Sequence, residues 1–360
     1  MKSLYFTPGP SQLYFTAEEH IKTALKEQIP SISHRSATFQ SIFQHAVENL
    51  RTLVNLPDNF HILFTASATE IWERLIQNCV DNSSLHLVNG AFSQRFYDMA
   101  KMLNINADEI RIDPGHCVTG DDIKVEGHHE LIAFTHNETS TGVSQPLEDI
   151  YSVREKHPDA LIAVDVVSSI PYVNLDFDKI DSAYFSVQKC FGLPAGLGVW
   201  FVNDRCLAKA EERLAKGQVI GSYHSLPSLV KQSKKNQTPE TPNVLNIYLL
   251  RKVAEDMNTK GLDMIRRETE YKSAVLYNTL ENHPDFDLFV KEQSWRSKTV
   301  IVAETNLTSQ RVIENLQNKK LLVGSGYGNF KDQHIRIANF PTHSKEQVEM
   351  LADTLETLTD

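Results

Sequence analysis

Lys189 and Asp165 are the side chains in this 360-residue chain best placed for covalent chemistry. A strand-like run, Ser182 to Val187, delivers Gln188 and Lys189 into a glycine-rich turn spanning Cys190 to Gly198. An exposed lysine ammonium is protonated at neutral pH and inert, whereas a lysine in a closed, partly desolvated site can form an imine with an aldehyde. Upstream, Leu161 to Val164 reads as a buried strand, and Asp165 stands just past its apolar core. A parallel sheet would bring both residues to one rim.

Pyridoxal phosphate is the commonest biological aldehyde held by a lysine, and it needs a carboxylate near its ring nitrogen and a cradle for its phosphate. Asp165 fits the first need: at about 4 Å and an effective dielectric near 20, such a pair is worth roughly 4 kcal/mol before desolvation. For the second, Thr65-Ala-Ser-Ala-Thr-Glu70 precedes a helix expected over 71–80, and free amides at a helix start attract anions. Alone, that segment reads more simply as a helix cap. Phe92 can stack on a flat ring, although one phenylalanine is more often core. Thr139, in the polar run Thr135 to Gly142, can reach the cofactor's phenolic oxygen, or belong to a capped turn. Ser33-His-Arg35 and His334-Ile-Arg336 carry arginines suited to carboxylate or phosphate, a residue type that otherwise solvates surfaces.

The frame around these residues is that of an α/β enzyme. At 41% hydrophobic residues the chain can fill a sizeable core, and its length allows two domains. A net charge of −10 argues against a nucleic-acid surface, so an anionic substrate needs a local basic pocket. No apolar run reaches the roughly 18 residues that span a bilayer, and the first residues lack the length of a signal peptide. The four cysteines have neither metal nor redox spacing, which predicts reduced thiols and a cytoplasmic protein. His34, His128, His129 and His136 lack ligand spacing, and no metal is expected.

Seven strands are predicted, at 61–64, 85–88, 109–112, 131–134, 161–164, 183–187 and 199–202, with helical segments between most of them, the pattern of a mostly parallel sheet. The last connection is too short and too rich in glycine and proline for a helical crossover, so one strand should run antiparallel. A polar loop over 232–243 is long enough to have a task. Helices over 207–216, 244–258, 262–283 and 345–358 leave a smaller α+β C-terminal domain. The expected organisation is an N-terminal active-site segment 1–15, a large cofactor-binding domain 16–245 and a small domain 246–360.

With Thr7-Pro-Gly-Pro10, Ser33-His-Arg35, Asn137-Glu-Thr139, Asp165 with Ser168-Ser169, Gln188-Lys189 and His334-Ile-Arg336 in place, the chain resembles the class V pyridoxal-phosphate aminotransferases, and within them the phosphoserine aminotransferases. The resemblance implies the PLP-transferase type I fold and a homodimer with shared active sites. It makes Lys189 the imine-forming and proton-shuttling residue and Asp165 the partner of the ring nitrogen. It implies that Phe92 stacks on the ring, that Thr139 meets the phenolic oxygen, and that Ser67, Ala68, Thr69 and Gln188 line the phosphate cradle. Thr241 would reach the cofactor phosphate of the partner subunit. Arg336 would hold the substrate α-carboxylate, and His34 and Arg35 the phosphate of phosphoserine. The implied reaction moves an amino group between L-glutamate and 3-phosphooxypyruvate, giving O-phospho-L-serine and 2-oxoglutarate in serine biosynthesis; such enzymes often serve pyridoxine biosynthesis too. The rivals are another class V enzyme, such as an alanine or serine glyoxylate aminotransferase, and a non-catalytic cofactor-binding protein.

Two positions depart from the family pattern. Glu240 stands where an asparagine is usual before Thr241, and Asn329-Phe330 stand where a His-Arg pair is usual. Glu240 should then turn away from any phosphate, and Lys331 or a lysine of the 231–235 cluster should replace the missing cation.

Overall fold

The alternation of apolar runs and helical stretches folds as a sheet flanked by helices on both faces, with a second sheet beside it. A computed structural model describes residues 2–358 except 121, 122, 124 and 126. The chain opens with β1 (Leu4–Phe6), α1 (Ala17–Lys26), α2 (Ala37–Val54), β2 (Phe60–Thr65), α3 (Ala68–Cys79), β3 (Ser83–Val88), α4 (Ala91–Met102) and β4 (Asn106–Arg111). It continues through β5 (Leu131–Thr135), the short pair β6 (Asn137–Glu138) and β7 (Val143–Ser144), α5 (Leu147–Lys156), β8 (Leu161–Asp165), β9 (Ser182–Ser186), β10 (Gly198–Asn203) and α6 (Asp204–Ala215). The remainder is α7 (Leu226–Ser233), α8 (Val244–Lys260), α9 (Leu262–Glu281), β11 (Phe286–Leu288), β12 (Val300–Thr305), α10 (Ser309–Asn318), β13 (Leu321–Ser325), β14 (His334–Ala338) and α11 (Lys345–Glu356).

All seven expected strands are present and form one sheet in the order β2-β10-β9-β8-β5-β3-β4. β10 is antiparallel to both its neighbours, and β9, β8, β5, β3 and β4 are parallel. The short glycine-rich link before β10 can only turn the chain back, which reverses that strand. The sheet buries both faces, so its strands are apolar at successive positions, with alternate side chains going to opposite layers. Ile162 and Val164 pack with α2 and α8, while Leu161 and Ala163 pack with α3, α4 and α6. Parity then sends Asp165 to the α3 face.

α2 was not legible as part of the site scaffold, yet its pattern is amphipathic. Phe39, Ile42, Phe43, Ala46, Leu50 and Leu53 form one buried stripe, and Ser36 caps the helix by accepting from the amide of Phe39. Its stripe meets α8 across the core.

The second sheet has the order β1-β13-β14-β12-β11 and is covered by α9, α10 and α11, whose Leu276, Val312 and Leu351 share its core. β1 pairs in parallel with β13, so the first residues of the chain are built into the sheet of the last hundred. This anchors the segment that follows β1 over the rim of the large sheet. The amide of Ser11 bonds the carbonyl of Gln188, and that of Tyr14 bonds the carbonyl of Gly192.

Candidate active site

The carboxyl ends of β2, β3, β5, β8 and β9 share one rim, and the reversed β10 brings its first residue, Gly198, to the same rim beside Thr65 and Ser186. Ligands in open α/β sheets bind beyond such an edge. A pocket here is lined by Asp165 and Lys189 together, with Trp72, Phe92, Thr139 and Gln188 among the other walls.

Asp165 is 4% exposed and faces Trp72, whose indole Nε1 donates to Oδ2 at 3.2 Å; the amide of Val167 donates to Oδ1 at 2.9 Å. Burial pushes its carboxyl up to about 6, against the pull of these donors and of Lys189. Lys189 is 7% exposed. Its Nζ donates to Thr139 Oγ1 at 2.9 Å and lies 5.0 Å from the centre of the Phe92 ring. Burial lowers its ammonium to about 8, and the Asp165 carboxylate resists that fall. A lysine so placed holds an appreciable neutral fraction near neutral pH, which imine formation and proton transfer both need.

Local chain geometry fixes that lysine. Gly9, at φ +136°, passes so close that a Cβ there would lie 2.9 Å from Lys189 Cε. Gly192, at φ +56°, closes the turn by donating its amide to the Lys189 carbonyl at 2.9 Å. Both conformations favour glycine. Thr139 Oγ1 in turn donates to Ser168 Oγ at 2.9 Å, which donates to the carbonyl of Asn137, so the lysine's acceptor is itself held.

α3 begins at the pocket. Ser67 is its N-cap, accepting from the amide of Glu70 at 3.1 Å, and the amide of Ala68 donates to Ser186 Oγ at 2.8 Å. The amide of Thr69 has no protein partner among the described residues, as the first turn of a helix dictates unless a ligand supplies one. Ala68, Thr69 and Gln188 line the pocket, whereas Ser67 contributes through its cap rather than as a wall. The buried lysine, the carboxylate, the ring-shaped wall and the open helix start together fit pyridoxal phosphate.

Arg336 on β14 approaches from the small sheet. Its Nε donates to the carbonyl of Ser325 at 2.7 Å and its Nη1 to the carbonyl of Thr139 at 3.3 Å, leaving Nη2 for a ligand oxygen. Its guanidinium lies 5.4 Å from the Tyr327 ring centre, and Tyr327 contacts Phe92 at 5.4 Å.

His34, Arg35 and Thr241 do not line this pocket but gather elsewhere in the chain. Thr241 Oγ1 is 3.3 Å from His34 Nδ1, and Arg35 donates to Gln237 Oε1 at 2.5 Å and to the carbonyl of Pro239 at 3.1 Å. The segment expected as a loop over 232–243 begins inside α7, and its remainder, 234–243, follows that helix. Glu240 turns to His224, 3.1 Å from its Nε2, which answers the departure at that position. Lys331 and the lysines at 231, 234 and 235 are absent from the pocket walls.

Four neighbours escaped the sequence reading. Trp72 lies one helical turn after Ala68 on the same face, a spacing that could have flagged it. Arg95, one turn after Phe92, donates to the Tyr327 hydroxyl at 2.8 Å. Tyr327 carried no motif signal. Glu138, inside Asn137-Glu-Thr139, is fully buried and accepts from the amides of Phe92, Ser93 and Ser140 and from both serine hydroxyls, so it caps α4.

Residues 7–348 match the family described as aminotransferase class V, and the chain belongs to that family of pyridoxal-phosphate-dependent transaminases. Among particular relatives, the phosphoserine aminotransferase of Nocardioides sp. (strain ATCC BAA-499 / JS614) is 29% identical over 362 residues, 99% of this chain and 95% of the relative. A crystal structure of a phosphoserine aminotransferase from Cytophaga hutchinsonii ATCC 33406 superposes with a TM-score of 0.98 at 50% identity, covering 99% of both chains. An aspartate aminotransferase from Thermus thermophilus, at 23% identity and a TM-score of 0.86 over 98% of each chain, shares the fold.

Proposed function

We propose that the chain is a cytoplasmic phosphoserine aminotransferase that moves an amino group between L-glutamate and 3-phosphooxypyruvate, yielding O-phospho-L-serine and 2-oxoglutarate. The observation that carries this reading is the convergence of Lys189 and Asp165 on one pocket, in a chain 50% identical to a phosphoserine aminotransferase of the same shape. Four free, buried cysteines accord with a reducing compartment.

When bound, pyridoxal phosphate supplies an aldehyde that takes the amino group and a ring that accepts the electron pair left when the α-proton departs. Lys189, whose ammonium burial lowers to about 8, can in its neutral form lift that proton from the substrate Cα and return it to a neighbouring carbon. Thr139 Oγ1 orients the amine. Asp165, ionised above about pH 6, holds a cation at the pocket floor, and Trp72 keeps its carboxylate turned inward. Phe92 walls one side and excludes water. Arg336 presents Nη2 to the substrate α-carboxylate.

Thr241, His34 and Arg35 form one exposed group outside the pocket of their own chain, as a homodimer with shared sites requires if they serve the partner. In that arrangement Thr241 meets the cofactor phosphate and His34 with Arg35 meets the phosphate of phosphoserine. Burial, then the neighbouring Arg35, holds the His34 imidazolium below its usual range, so at neutral pH His34 acts as a hydrogen-bonding group and Arg35 carries the charge.

The test is a substrate panel of phosphoserine, serine and alanine with wild type and Arg35→Ala. A loss confined to phosphoserine supports the assignment. Equal losses on all three, or a wild-type preference for alanine or serine with glyoxylate, favours another class V activity. No half-reaction with glutamate in protein carrying the cofactor rules out a transaminase.

A further inference from the structure

His224 lies between two carboxylates from different elements. Its Nδ1 is 2.5 Å from Glu70 Oε1 in the first turn of α3, and its Nε2 is 3.1 Å from Glu240 Oε2 in the loop that carries Thr241. Glu70 is tied down in turn, since its Oε2 accepts from the amide of Ala66 at 2.8 Å. Also facing this cluster are Arg74, whose Nε is 3.8 Å from Glu70 Oε1, and His34, whose imidazole feels the Glu240 carboxylate, with the Tyr223 ring 4.2 Å from the His224 imidazole.

From this geometry we propose that His224, as an imidazolium, is a positioning residue that clamps the 237–241 loop to the start of α3 and holds the Glu240 carboxylate away from the phosphate-binding amides. The proposal rests on reading that helix start as the holder of the cofactor phosphate. A carboxylate freed at a helix N-terminus is drawn to the same amides that attract a phosphate, so an unclamped Glu240 competes with the ligand or repels it. Glu240 thus becomes compatible with an anion site only because His224 neutralises it. The two carboxylates lift the His224 imidazolium to about 9, with the Glu240 pairing the larger cause, so the clamp is charged at neutral pH. A histidine whose folded value is raised contributes stability fully present below about 6.5, lost progressively as pH climbs through about 9.

The experiment titrates apoprotein with pyridoxal phosphate, followed by absorbance, and repeats the titration with inorganic phosphate as competitor, for wild type, His224→Gln, Glu240→Gln and the double variant. His224→Gln should weaken binding roughly tenfold, the order expected when a partly buried ion pair is broken and one carboxylate is left without its counter-charge. The double variant should regain most of that loss, because no free carboxylate remains. Rescue of this kind is not expected of a residue that merely fills space. Glu240→Gln alone should bind near wild-type strength at pH 7, and the loss of affinity that wild type shows as pH climbs through about 9 should be much reduced in it, since no carboxylate is released when His224 gives up its proton. This variant carries the test if His224→Gln does not fold. Unchanged binding in His224→Gln, a double variant weaker than His224→Gln, or an alkaline loss of affinity in Glu240→Gln as large as in wild type each overturns the clamp. Wild-type protein that fails to bind pyridoxal phosphate overturns the reading beneath it instead.

Discussion

Asp165→Asn should stabilise the apoprotein while disabling the enzyme. Burial raises the Asp165 carboxyl from 3.8 to about 6, so the folded chain holds its proton more tightly than the unfolded chain. The cost of the ionised form is then absent below about pH 4, grows as pH rises towards 6, and is constant above it. At roughly 1.4 kcal/mol for each unit of the gap, it amounts to about 3 kcal/mol at pH 8 and about half that at pH 5. An amide has the same shape without the charge, but it accepts only one of the two bonds now made by Trp72 Nε1 and the Val167 amide, a loss of about 1 kcal/mol. The net gain for Asp165→Asn is therefore about 2 kcal/mol at pH 8, shrinking to under about 1 kcal/mol at pH 5. Urea unfolding of both apoproteins at the two pH values measures it. Turnover with glutamate should drop by about two orders of magnitude or more, because a cation at the pocket floor loses its counter-charge. A variant less stable than wild type at pH 8, or equally displaced at both pH values, would show that the Asp165 environment does not disfavour its charge. Near-normal turnover would remove Asp165 from the site.

Lys189 in the apoprotein should be labelled by formaldehyde and cyanoborohydride with a midpoint near pH 8, read by mass spectrometry at that residue; a midpoint above about 10, the ordinary lysine range, contradicts its buried setting. Glu138→Ala strips an acceptor from two amides and a hydroxyl at the start of α4 and from the amide and hydroxyl of Ser140 after β6, and should cost about 3 kcal/mol or more in urea unfolding. A change within error there would mean that water replaces the carboxylate freely. Gly9→Ala places a methyl group 2.9 Å from Lys189 Cε at a backbone angle that alanine resists, a strain of about 1–3 kcal/mol that should slow the glutamate half-reaction about tenfold with the fold retained by circular dichroism. Wild-type rates in that variant would show that the N-terminal segment leaves the lysine unconstrained.

What could be read from the chain and what could not divides along a physical line. Lys189, Asp165 and the seven strands were legible because their signals are local: an apolar run of a few residues, then a polar group where the run stops. The reversed β10 was legible for the same reason, since the length of a linker limits what it can connect. Trp72 was not, because its meaning depends on two periods at once. Asp165 falls on the α3 face only through the two-residue alternation of β8, and Trp72 faces it only through the turn of α3. β1 is three residues long, and its pairing with β13 is settled more than three hundred residues later, so no window around Leu4 contains the evidence. Glu240 is the sharpest case. As a sequence departure it argued against an anion site, since a carboxylate beside a phosphate is repulsive. The structure supplies His224, sixteen positions earlier and in no motif, as the opposite charge that resolves the conflict. A substitution that looks unfavourable in one chain segment is thus interpretable only together with the residue that faces it, and the pair, rather than either member, is the unit on which a test of this site has to act.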